Sequence, residues 1–95
     1  MLRWNRLLGL LFGGIMDCKR LFDLAVLAFD DIERNTGSRI WTPAKEPTVE
    51  SVKAALAAFE TLVSLHGLAW LIDSTIGTGM SHLGFSYWLR DAASL

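Results

Sequence analysis

Hydrophobic positions in the first third of the chain recur at intervals of three and four residues. This spacing places side chains on one face of an α-helix. Polar side chains fall broadly opposite this stripe, and two oppositely charged pairs stand four residues apart, which favours a helix weakly. The pattern therefore predicts a long amphipathic helix over about residues 2–34. Its apolar stripe consists of Leu8, Leu11, Ile15, Cys18, Phe22, Ala25, Phe29 and Ile32.

A second amphipathic stripe predicts a helix over residues 49–73. It follows a proline-containing connection, residues 35–47, and Thr48 is a suitable N-cap for it. The stripe consists of Val52, Leu56, Phe59, Val63, His66 and Trp70. Beyond Leu65 the segment is apolar nearly all round, so we expect this end of the helix to be deeply buried or to contact lipid.

The chain breaks at residues 74–80 and ends in a shorter element. Gly77 and Gly79 flank Thr78 there, which is typical of a turn or of a close crossing at small residues. We predict an all-α fold with one domain over residues 1–95. It consists of a long helical hairpin, about 2–34 and 49–73, whose antiparallel helices are followed by a shorter C-terminal helical element.

Composition changes this picture, because the chain has more apolar mass than a small domain can hide. Of its 95 residues, 52% are hydrophobic and 20% are charged, and there are four tryptophans and five phenylalanines. Part of this surface should face a partner chain, a second copy or lipid. The net charge of −1, with basic residues scattered, argues against a nucleic-acid partner.

Two segments are candidates for lipid contact, residues 1–16 and 62–89. The first carries Arg3 and Arg6 beside Trp4, which resembles a signal peptide or an interfacial anchor. No clear cleavage site follows it, so we expect the segment to stay in the mature protein. A spanning helix needs about 20 predominantly apolar residues, and charges interrupt every run of that length.

Candidate chemistry is limited to His66, Asp73 and His82. On a straight helix, His66 and Asp73 share a face but are separated by a rise of about 10.5 Å, which is too far for a direct hydrogen bond. A zinc or iron site built from all three residues is therefore the minority interpretation. We expect each to be hydrogen-bonded separately, and we expect no cofactor and no metal. Cys18, the single cysteine, cannot form an internal disulfide.

The sequence thus favours a non-enzymatic interaction protein, an accessory or assembly subunit that docks through apolar helix faces and is associated with a membrane rather than cytoplasmic. Aromatic residues dominate binding energy at protein interfaces. The expected partner-binding residues are Phe22, Phe29, Phe59, Val63, Trp70 and Trp88. The alternative is a soluble helical regulator or inhibitor that binds and modulates a larger enzyme and dimerises through the same faces.

Overall fold

The computed structural model describes residues 17–43 and 45–95, and this part of the chain contains helices, turns and irregular segments but no strand. The α-helices are α1 (Cys18–Thr36), α2 (Val49–His66), α3 (Leu68–Asp73) and α4 (His82–Ala93), and a 3-10 turn at Ile76–Thr78 precedes α4. The all-α class is confirmed, with two long helices connected in sequence and a C-terminal helix. The part of the first predicted helix before residue 17 lies outside the described residues.

Helix α1 is closed by a cap at each end. At its start, the Asp17 carboxylate accepts a hydrogen bond from the backbone N–H of Arg20 at 2.8 Å. At its end, Gly37 adopts a left-handed conformation with φ of 73° and donates its N–H to the carbonyl of Glu33. Glycine takes this conformation without a Cβ penalty, which explains why the helix stops here.

Helices α1 and α2 run in the same direction, so the antiparallel orientation predicted for the hairpin is wrong. The Cys18 thiol at the start of α1 lies 3.2 Å from the carbonyl of Pro47, just before the start of α2. Half-way along both helices, the rings of Phe29 and Phe59 stack with centroids 4.3 Å apart. Contacts at matching distances from the two N-termini require parallel helices.

The connection between the helices runs back along α1 instead of turning at its end. One carboxylate oxygen of Glu33 accepts the backbone N–H groups of Ile40 and Trp41, at 3.1 and 3.4 Å. Farther back along α1, the Trp41 ring contacts Phe29 and Phe22, with centroids 4.8 and 6.2 Å away. These contacts hold the connection against α1. The chain therefore returns to the N-terminal end of α1 before α2 begins.

The predicted helix over residues 49–73 is interrupted at Gly67. This residue has φ of 92° and ψ of 158°, a backbone conformation essentially restricted to glycine. Its N–H donates to the carbonyl of Val63 and closes α2, and α3 begins at the next residue. The continuous periodicity of the sequence did not show this break.

Helix α4 returns along α1 and α2 in the opposite direction and completes the core. Its buried Trp88 donates its indole N–H to the carbonyl of Leu21 at 3.0 Å. Phe59 meets Phe85 and Trp88 edge-on, with centroids 5.7 and 4.9 Å away. The buried apolar core includes Leu21, Phe22, Ala25, Ala28, Phe29, Ile32, Val52, Ala55, Phe59, Leu62, Leu71, Met80, Phe85, Trp88 and Ala92.

This topology gathers five chain segments at one end of the bundle. The C-terminal ends of α1 and α2 lie there with α3, the 3-10 turn and the start of α4. The side-chain amide of Asn35, near the end of α1, donates to the carbonyl of Ser74 at 2.8 Å. The segment from residue 65 to residue 83 therefore forms the surface of this end.

Candidate interaction surface

Four of the six residues expected to bind a partner lie in the core of the chain itself. Phe29, Phe59 and Trp88 are at most 2% exposed, and Phe22 is 8% exposed. In this fold these side chains pack inside the core of the chain itself, and partner binding through them stays a prediction. An apolar stripe that packs within its own chain has the same spacing as one that packs on another chain.

The other two expected residues, Val63 and Trp70, are half-buried at the edge of the core. Trp70 belongs to α3, and its ring stacks on the exposed His66 ring with centroids 4.0 Å apart and planes 25° apart. The stack joins the last turn of α2 to α3 across the break at Gly67. It leaves part of an indole surface accessible at the end of the bundle.

Large exposed hydrophobic side chains concentrate at this same end. Among the described residues, three of the six large exposed hydrophobics lie there: Leu65 is 71% exposed, Ile76 78% and Leu83 48%. The partly buried Leu68, Trp70 and Ile72 come from the same segment. We call this surface the apolar end, and its members are Leu65, Leu68, Trp70, Ile72, Ile76 and Leu83.

The apolar end shows that the stretch from Leu65 onward is deeply buried only in part, and the lipid contact expected for it stays a prediction. Leu71 is fully buried, whereas Leu65 is largely exposed. The break at Gly67 gives α3 its own orientation, so one side of α3 reaches the core while the end of α2 stays open. In the described residues, no helix is long and apolar enough to cross a membrane.

The three residues considered for a metal site do not converge. His66, Asp73 and His82 are all exposed and belong to three different helices. Within residues 17–43 and 45–95, no group of three or more His, Cys, Asp or Glu side chains is placed to hold a metal ion. The arrangement therefore offers no support for the minority metal interpretation.

A groove between α1 and the connection was not anticipated from the sequence. It has a volume of about 200 Å³. Its lining residues are Val26, Phe29, Asp30, Glu33, Arg39, Trp41 and Pro43. Ile40 and Trp41 of the connection pack against the core. Two acidic residues one helical turn apart on α1, Asp30 and Glu33, are the sequence feature that coincides with this groove.

Ion pairs among the described residues are local and structural. The Lys19 ammonium lies 2.7 Å from Asp23 one turn along α1, and this hydrogen bond, reinforced by the Asp23 charge, raises the pKa of Lys19. The buried Asp31 and Asp91 carboxylates each pair with a neighbouring arginine, Arg34 and Arg90. Two carboxylates that burial would otherwise penalise are thereby compensated.

Comparison with protein-family models, with curated proteins and with solved structures finds no match to this chain.

Proposed function

We propose that this protein is a non-enzymatic interaction protein, an accessory or assembly subunit that docks on a partner chain through its apolar end. The observation that supports the proposal is the exposure of Leu65, Ile76 and Leu83 at one end of a bundle whose interior is already filled. Full burial of one such side chain contributes about 1.5–3 kcal/mol. The half-buried Trp70 of the same segment belongs to a residue type that is enriched among the hot spots of protein interfaces.

The charge around the apolar end favours a protein partner over an anionic lipid surface. Residues 54–89 contain no lysine and no arginine, and their charged residues are the acidic Glu60 and Asp73. Peripheral helices that bind anionic membranes carry basic residues beside their apolar face. The membrane association expected from Arg3, Trp4 and Arg6 concerns residues outside the described part and stays a prediction.

Site-specific photo-cross-linking in native cells tests the proposal. A photoreactive phenylalanine analogue at position 65 or 76 is expected to cross-link to one and the same partner protein. The matched control position is Leu27, which is 54% exposed on α1, away from the apolar end. A partner that cross-links equally well from position 27, or only from there, would contradict the proposal.

The double substitution Leu65→Ser and Ile76→Ser gives the quantitative test. We expect co-purification of that partner to fall at least about tenfold, because two apolar side chains no longer leave water on binding. The free energy of unfolding should change by no more than about 0.5 kcal/mol per site, since both side chains are exposed. Leu27→Ser should leave the partner bound. Retention of the partner by the double variant would reject the apolar end as the docking surface.

Sedimentation of the purified chain separates two kinds of partner. A homodimer that dissociates in the double variant would assign the apolar end to a second copy, as in the soluble-regulator alternative. A chain that stays monomeric at tens of micromolar and still cross-links in cells has a different protein as its partner.

A further inference from the structure

The groove between α1 and the connection is a second candidate binding surface, and it is separate from the apolar end. Apolar and aromatic side chains form part of its lining, with Phe29, Trp41 and Pro43 among them. Asp30 and Glu33 stand on its α1 side, and Arg39 stands on the side of the connection. Aromatic surface and carboxylates thus face one space.

The carboxylates of this groove have no cationic partner in the part of the chain that the structure describes. Neither Asp30 nor Glu33 forms an ion pair there, and Arg39 does not pair with either of them. Glu33 uses one oxygen to accept the N–H groups of Ile40 and Trp41, which are neutral donors. Two negative charges against one positive charge leave the groove complementary to a cation.

The size of the groove selects a single side chain rather than a small-molecule cofactor. Its volume is about 200 Å³, whereas pockets for drug-sized ligands have about 300–1,000 Å³. The guanidinium group of arginine is flat and stacks on aromatic rings, and its paired N–H groups match the two oxygens of a carboxylate. We propose that this groove binds one arginine side chain of a partner protein between Trp41 and the carboxylates of Asp30 and Glu33.

Titration of the full-length, ¹⁵N-labelled chain with N-acetyl-arginine amide tests the proposal by NMR. We expect saturable shifts of the backbone amides of residues 26–33 and 39–43 and of the Trp41 indole N–H. The dissociation constant should be on the order of millimolar, the affinity that about 4 kcal/mol of binding free energy provides. N-acetyl-citrulline amide has nearly the same shape without the charge, so it should bind at least about fivefold more weakly.

Three substitutions assign the binding to the groove. Asp30→Asn should raise the dissociation constant of the arginine probe at least about threefold, because the substitution removes one attracting charge from an exposed position. Arg39→Gln should tighten binding about twofold by removing the like charge. Glu60→Gln changes an exposed acid on α2, outside the groove, and should leave the dissociation constant unchanged.

Several results would overturn the inference, and the spectra themselves report whether each variant is folded. Equal binding of the citrulline probe would show that charge plays no part. An unchanged dissociation constant in Asp30→Asn, or shifts centred on α2 or α4, would place the interaction elsewhere. Binding of N-acetyl-aspartate amide, lost in Arg39→Gln, would mean that the groove recognises an anion.

Discussion

At the residue scale, Gly77 in the 3-10 turn lies close against the buried carboxylate of Asp31 on α1. Asp31 on α1 pairs with Arg34 and is 5% exposed. A Cβ atom built on Gly77 would lie 2.6 Å from both oxygens of the Asp31 carboxylate. The 3-10 turn can therefore cross α1 only where it carries no side chain. The sequence left two interpretations of Gly77-Thr78-Gly79, a turn or a close crossing at small residues. The contact between Gly77 and Asp31 is a close crossing.

Gly77→Ala is predicted to lower the free energy of unfolding by about 1–3 kcal/mol, the usual cost of forcing an extra methyl group into a packed contact. Urea denaturation followed by circular dichroism measures it. Repeating the substitution in an Asp31→Ala background should reduce its cost by at least about 0.5 kcal/mol, because the clashing oxygens are gone. If Gly77→Ala lowered the free energy of unfolding by the same amount in both backgrounds, the contact between Gly77 and Asp31 would be disproved.

At the element scale, the break between α2 and α3 decides what the end of the bundle exposes. The sequence periodicity continues from Val63 through Trp70 without a fault, so a continuous helix was predicted. What overrides it is the backbone of one residue, Gly67, at φ of 92°. The helix caps were easier to predict: Thr48 accepts from the N–H of Ser51, and the Ser51 hydroxyl accepts from the N–H of Thr48.

Gly67→Ala is predicted to destabilise the fold by about 1–3 kcal/mol through backbone strain. No heavy atom lies within 4 Å of a Cβ built at this position, so crowding contributes nothing. A chemically assembled chain with D-alanine at position 67 is the matched control, because its preferred conformations mirror those of L-alanine. Thermal unfolding should show the D-variant at least as stable as the wild type. Equal destabilisation by both enantiomers would rule out backbone strain as the cause.

At the scale of the whole molecule, the parallel arrangement of α1 and α2 depends on the length of the connection. The 19 residues of α1 span about 28 Å as a helix. The connection between α1 and α2, residues 37–48, can extend to about 40 Å. It is therefore long enough to return along α1 and still make contacts on the way. The sequence alone could not fix the direction, because both orientations bury the same stripes.

Pro47→Cys tests the direction of the helices, since Cys18 is the natural partner thiol. In the parallel arrangement, the two cysteines are close enough to form a disulfide under mild oxidation. Thiol titration and non-reducing electrophoresis should show loss of both free thiols in the monomer. His66→Cys places the second thiol at the opposite end of α2 and should stay reduced. A disulfide in His66→Cys instead would restore the antiparallel arrangement.

The sequence was sufficient to predict the class of fold, but it was not sufficient to predict which hydrophobic residues are exposed. Phe22, Phe29 and Phe59 were correctly placed on helix stripes, yet their periodicity did not reveal that α4 and the connection would cover them. Leu65 and Ile76 could not be recognised as exposed, because their exposure follows from the Gly67 break and from the packing of the 3-10 turn. The groove arises from the return path of the connection, which no local pattern encodes.

The bond between the Trp88 indole and the Leu21 carbonyl joins residues 67 positions apart in the chain. Phe59 obtains its contacts with Phe85 and Trp88 from the same late segment. The core that α1 and α2 share with α4 can therefore close only after the last segment of the chain has been synthesised. Until then the aromatic stripes of α1 and α2 lack the side chains that cover them in the folded protein. Folding of the two long helices is thus tied to the arrival of the C-terminal helix.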